Sequence, residues 1–100
     1  MIKHIVMWRL KENYGSKSTV ENALIIKEKL EALNGKIDGL IKLEVGLDFS
    51  RTLYSCDLVL YSEFVTKEHL EKYQDHPEHK AIMPIIMEMR DERRVVDYEI

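Results

Sequence analysis

The chain holds one cysteine, two prolines and one tryptophan, and no long apolar run. Each shortage excludes something. A lone cysteine, Cys56, cannot close an internal disulfide, which fits a reducing compartment. It stands in an apolar run, so it reads as a small buried hydrophobe on one face with Leu58 and Leu60. No stretch approaches the roughly 18 apolar residues of a membrane span, and Met1 to His4 opens no apolar leader. The expected location is the cytoplasm. Basic residues are in deficit, 15 Lys and Arg against 18 Asp and Glu, for a net charge of −3. Phosphate backbones require a concentrated basic face. Here only Arg90, Arg93 and Arg94 cluster, with Asp91 and Glu92 between them, so nucleic acid is excluded as the expected partner.

What is present is an ordinary globular composition, 45% hydrophobic and 33% charged over 100 residues. That length fits one domain spanning residues 1–100. Its surface-to-volume ratio is poor, and a second copy would relieve it.

Ile2, His4, Val6, Trp8 and Leu10 alternate with Lys3, Ile5, Met7 and Arg9, which is the period of a strand. Ile5 and Met7 make the second face partly apolar too. Ser18 and Glu21 have the spacing of a capping box. Ala23, Ile26, Leu30 and Leu33 then mark a helical stripe, widened by Leu24 and Ile25 and ended by Asn34-Gly35. A second strand follows Gly39, with Ile41, Leu43, Val45 and Leu47 on one side. A third runs from about Tyr54 to Phe64, and its unbroken Leu58 to Tyr61 suits a central position. Thr66 caps a short helix to about Gln74, with Leu70 and Tyr73 buried. Pro77 opens another helix to about Met89, which Pro84 should kink. Arg94 to Ile100 closes as a strand.

This order, β-α-β-β-α-β, is the split βαβ or ferredoxin-like α+β arrangement, with an antiparallel four-stranded sheet. Helices cover one sheet face. The other face carries enough apolar residues that a homodimer joined sheet to sheet is expected.

Four segments carry a resemblance. Met1-Ile2-Lys3-His4-Ile5-Val6, Leu43-Glu44-Val45-Gly46, Tyr73 with His76-Pro77-Glu78-His79, and Val95-Val96-Asp97-Tyr98-Glu99 resemble the stress-responsive A/B barrel domain family (Dabb) in order and spacing. The resemblance implies a dimeric α+β barrel. Most members have no assigned chemistry. One plant member closes a linear polyketide by intramolecular aldol condensation. Its catalytic tyrosine and histidine match Tyr73 and His79, and two further histidines match His4 and His76. Pro84 in the last helix bears on the shape of any pocket, so the polyketide activity is not carried over.

The residues themselves point the same way. His79 lies in the first turn of a helix, where the dipole disfavours imidazolium and leaves a ring able to accept a proton. A phenol such as Tyr73 can donate to a carbonyl oxygen becoming an enolate. His4 and Trp8 share a strand face that meets the helices, so they are expected to bind substrate in the same pocket. His76, just before the helix, joins them as a binding candidate and as the residue that orients the turn. His69 falls on the exposed side and receives no role. Two histidines without a clear third ligand make a poor metal site. No flavin or haem motif is present, so no metal or cofactor is expected. The expected function is binding or transformation of a small carbonyl-bearing molecule in an apolar pocket, by aldol-like or cyclase-like proton transfer. The alternatives are a non-catalytic dimeric module, or a cofactor-free monooxygenase-like protein by analogy of fold. A pocket of a few hundred cubic ångströms opening near His79 favours the first; a solid core there favours the non-catalytic module.

Overall fold

The computed structural model describes all 100 residues. Its elements are β1 (Ile2–Leu10), α1 (Thr19–Glu31), β2 (Leu40–Leu47), β3 (Leu58–Phe64), α2 (Lys67–Asp75), α3 (Pro77–Met89) and β4 (Arg90–Glu99), with a 3-10 turn at Tyr14–Ser16. The strands form one antiparallel sheet in the order β2-β3-β1-β4. This is the ferredoxin-like arrangement, with β1 and β3 central as their apolar content requires.

The period-two pattern of β1 puts Ile2, His4, Val6, Trp8 and Leu10 on the helix-covered face. Leu58, Leu60, Ser62 and Phe64 of β3 join them. Above lie Ala23, Ile26 and Leu30 from α1, Leu70 and Tyr73 from α2, and Ile82, Ile86 and Met89 from α3. Ile26 is fully buried in this layer, and truncating such a residue to Ala costs about 2–5 kcal/mol.

Local chemistry sets the element ends. Ser18 Oγ accepts from the Glu21 amide at 3.1 Å and Glu21 Oε1 accepts from the Ser18 amide at 3.1 Å, the capping box expected from the spacing. The helix ends at Glu31, earlier than Asn34-Gly35. Asn34 has another task. Its amide donates to the Leu43 carbonyl at 2.8 Å and accepts from the Leu43 amide at 3.1 Å. Glu31 and Lys27 do the same for Val45. Side chains from α1 and the turn after it thus satisfy the outer backbone groups of edge strand β2, which would otherwise template pairing with another chain.

Several sequence expectations are corrected. Ile41 is 51% exposed, because a register shift between Leu40 and Lys42 takes it out of the alternation. Leu24 lies outside the buried stripe of α1, with 48% of its surface exposed. The third strand begins at Leu58, not Tyr54. Before it, Asp48, Thr52 and Ser55 hold the backbone in turns: the Arg51 amide donates to Asp48 at 2.8 Å and the Thr52 amide to Ser55 Oγ at 3.1 Å. Cys56 therefore does not share a buried face with Leu58 and Leu60. It is half-buried in the loop, beside Met7, Phe49 and Tyr54 on the side of the sheet without helices. α3 runs unbroken through Pro84 and passes directly into β4, which starts at Arg90 rather than Arg94.

The face without helices carries Ile5, Met7, Val59 and Tyr61, all half-buried, with Val96 53% exposed beside them. Phe49, Leu53 and Tyr54 in the loop before β3 are almost wholly exposed. No helix is long and apolar enough to cross a membrane.

Candidate functional site

A cavity of about 250 Å³ opens between the sheet and α3, with His4, Trp8 and His79 among its lining residues. Its floor is apolar, from Val6, Trp8 and Leu60 on the sheet and Met83 and Ile86 on the helix.

His4 is 3% exposed in the middle of β1. A buried imidazole requires a partner, and the neighbouring strand β4 supplies it. Asp97, its cross-strand partner on β4, accepts a hydrogen bond from Nδ1. Ser62, its partner on β3, donates to the His4 carbonyl at 2.9 Å. A carboxylate can only accept, so Nδ1 carries the proton and Nε2 is left for the cavity.

His79 is placed by the break between the helices. The α2 end and the α3 start share His76, whose extended backbone turns the chain and whose Nδ1 accepts from the Glu78 amide at 3.1 Å. Pro77 follows at the first helical position, where its missing amide costs nothing. His79 then points back over Tyr73, with Nδ1 donating to the Gln74 carbonyl at 3.2 Å. A carbonyl accepts only, so His79 also presents Nε2 with its lone pair free. Burial holds the His79 pKa below the ordinary histidine value, and the neighbouring His4, Arg93 and His76 push the same way. His79 is thus a neutral base at neutral pH.

Tyr73 stands behind these two rings. It is fully buried, 4.4 Å from His79, 5.0 Å from Phe64 and 6.4 Å from His4 between ring centroids. Its hydroxyl is sealed from solvent and has no protein hydrogen-bond partner. Burial pushes its pKa well above the ordinary tyrosine value. The structure therefore brings His4, Trp8 and His79 to one cavity, sets Tyr73 against its wall, and leaves His76 outside the lining as a helix cap.

Three participants were not singled out from sequence. Asp97 orients His4; the signal was a histidine facing an acid across an antiparallel pair, readable only once β1 and β4 are aligned. Arg90 and Arg93 line the cavity, and their spacing hid this. His69, read as exposed, is half-buried: its Nδ1 meets Thr66 Oγ1 at 2.7 Å and its ring covers Gly39. No three histidine, cysteine or carboxylate side chains converge as a metal-ligand group.

Comparison with known proteins matches residues 2–100 to the stress-responsive A/B barrel domain. The chain belongs to this family. Among solved structures, a dimeric ferredoxin-like protein of unknown function from Bacteroides fragilis is 36% identical, with a TM-score of 0.78 over 99% of this chain and 95% of that one. A dimeric ferredoxin-like protein of unknown function from Thermobifida fusca is 24% identical, with a TM-score of 0.83 over 99% and 90%. An antibiotic biosynthesis monooxygenase shares the fold at 15% identity, with a TM-score of 0.76 over 100% and 98%. No curated protein matches. The family's dimeric relatives give the apolar sheet face of this A/B barrel domain a natural context.

Proposed function

We propose that this A/B barrel domain binds a small apolar carbonyl compound between sheet and α3, and that His79 moves a proton on it. The observation that supports this is the pair of imidazoles in one apolar-floored cavity, each with Nδ1 committed to an acceptor and Nε2 free. An acidic C–H flanked by carbonyls would lose its proton to Nε2 of His79, and the electron pair would pass to the carbonyl oxygen as an enolate. The His4–Asp97 pair has the carboxylate-oriented imidazole that proton-transfer enzymes use as a second base or as a donor once protonated. Tyr73 is the phenol of the set. Its hydroxyl is sealed while the cavity is at rest, so donating to the enolate requires the ligand to displace packing around it. Trp8 contributes the floor against which an apolar body packs. His76 acts on the site through the turn that aims His79.

The functional molecule in this reading is a homodimer, joined through the sheet faces opposite the helices. Ile5, Met7, Val59 and Val96 on that face, and the nearly bare Phe49, Leu53 and Tyr54 beside it, support the interface.

The test is deuterium exchange at the central carbon of an alkyl-substituted acetylacetone in heavy water, followed by NMR. Wild type should accelerate exchange over buffer and over an equal concentration of imidazole. His79→Ala should lose most of that acceleration. Wild type no faster than imidazole would defeat the catalytic reading and favour a binding or structural role for these residues.

A further inference from the structure

We infer that the cavity selects a carboxylate: Arg90 and Arg93 form an anion-binding mouth over its apolar floor, created by the bulge at Asp91. This rests on the pocket reading above and names its ligand class. Along β4, Arg93 pairs with Trp8 and Glu92 with Arg9, but Leu10 pairs with Arg90, so Asp91 is an extra residue. In strict alternation Arg90 would lie with Glu92 and Arg94 on the far face of the sheet. The inserted residue turns it to the face of Trp8 and Arg93, and both arginines line the cavity. Bulges of this kind re-aim side chains beside functional sites.

The electrostatics are lopsided. No aspartate or glutamate lines the cavity, in a chain whose net charge is −3. Glu92 is taken by Arg9 and Arg94 on the other face. Asp97, the nearest acid along β4 on the helix face, is committed to His4. Arg90 and Arg93 form no ion pair and no side-chain hydrogen bond, although Arg90 is half-buried. The end of α3 gives Arg90 some favourable interaction with the helix dipole; it offers Arg93, three residues into the strand, nothing comparable. Two guanidinium groups without partners, at the rim of an apolar cavity, match a planar carboxylate carried on an apolar body.

The chain's single tryptophan, Trp8, lies in the cavity and reports occupancy by its fluorescence. The experiment titrates octanoate, octanol and inorganic phosphate into wild type, Arg93→Gln, Arg93→Lys and the Arg90→Gln/Arg93→Gln double variant, with circular dichroism confirming each fold. Octanoate should bind wild type at least about tenfold more tightly than octanol, a preference of about 1.4 kcal/mol. The double variant should lose that preference while binding octanol as before, and Arg93→Lys should keep part of it. Equal affinity for octanoate and octanol in wild type overturns the inference and leaves the pocket standing. A preference that survives the double variant overturns the role of the arginines. Phosphate binding more tightly than octanoate overturns the carboxylate assignment. If neither octanoate nor octanol perturbs Trp8, the pocket reading and this inference both fall.

Discussion

Tyr73→Phe should make the free protein more stable. The ring is fully buried and packed on His79 and Phe64 at centroid distances of 4.4 and 5.0 Å, and phenylalanine keeps all of it. Only the hydroxyl is lost, and that hydroxyl has no protein partner while sealed from solvent. Leaving such a group unsatisfied costs about 1–3 kcal/mol, since the unfolded chain hydrates it. Removing it should recover a part of that, about 1 kcal/mol after the small void left by one oxygen is counted. In a domain of this size, about 1 kcal/mol moves the melting temperature by roughly 4–8 °C. Tyr73→Phe should therefore melt about 4–8 °C above wild type. The comparison requires differential scanning calorimetry at pH 7.5 and equal protein concentration, because an associating protein melts at a concentration-dependent temperature. A melting temperature lowered by more than about 4 °C would refute the reasoning, because it would show that the hydroxyl makes a bond that stabilises the fold. A destabilising hydroxyl persists either because the fold tolerates it or because some other requirement holds it there. The same variant in the deuterium-exchange assay shows whether that requirement is chemistry: gained stability with lost exchange would locate the hydroxyl's use in the reaction.

Other outcomes follow from the same packing. His79→Ala should cost about 1 kcal/mol or less, because the ring is half-buried and makes a single hydrogen bond, to a backbone carbonyl; a melting drop above about 8 °C would assign it to the core instead. Stability should fall as pH drops below about 6.5, because burial depresses the His79 pKa in the fold and the unfolded chain then binds the extra proton; urea melts across pH 5 to 8 should show this, and the slope should flatten in His79→Ala. Gly39→Ala should cost well over about 1 kcal/mol, since Gly39 has φ 79° and an added Cβ would stand 2.1 Å from the His69 ring; His69→Ala should restore only the steric part, which a double-mutant cycle in urea measures. Light scattering at low micromolar concentration should give twice the 11.8 kDa chain mass; a clean monomer would defeat the sheet-face interface, expected at roughly 1,500 Å² or more.

The fold was legible because its signals are local. Alternation in β1, the capping box at Ser18 and Pro77 at the start of α3 each act within a few residues, and each formed as the spacing implied. The misses have two causes. Ile41 left the buried face through a register shift that depends on β3, and the chain at Tyr54 and Ser55 turns instead of extending, its amides bonded to the Thr52 hydroxyl and carbonyl. Cys56 followed that loop to the other side of the sheet. The turn at Asp48 to Ser55 was a local signal of polar side chains, whereas the register shift at Ile41 depends on a neighbouring strand.

The candidate site divides along the same line. His4, Trp8, Tyr73, His76 and His79 were legible as residue types in a suggestive order, but their division of labour is a matter of pairing between strands. The β1–β4 register puts Asp97 beside His4, and a one-residue slip would put Val96 or Tyr98 there instead. The bulge at Asp91 then decides that Arg90 joins Arg93 rather than Glu92. Two features of β4, its register and its irregularity, thus set both the polarity of the inner imidazole and the charge at the cavity mouth. Edge strand β4 carries no buried residue of its own, so packing alone does not explain that arrangement. Deleting Asp91 would test whether the arrangement is functional. The deletion restores strict alternation and leaves Arg90 two residues from Arg93, still opposite Leu10 on the cavity face. Octanoate preference and histidine-dependent exchange should both persist, and loss of the preference alone would mean that the bulge itself aims the mouth. Loss of both together would mean that the bulge holds the whole site and not its mouth alone.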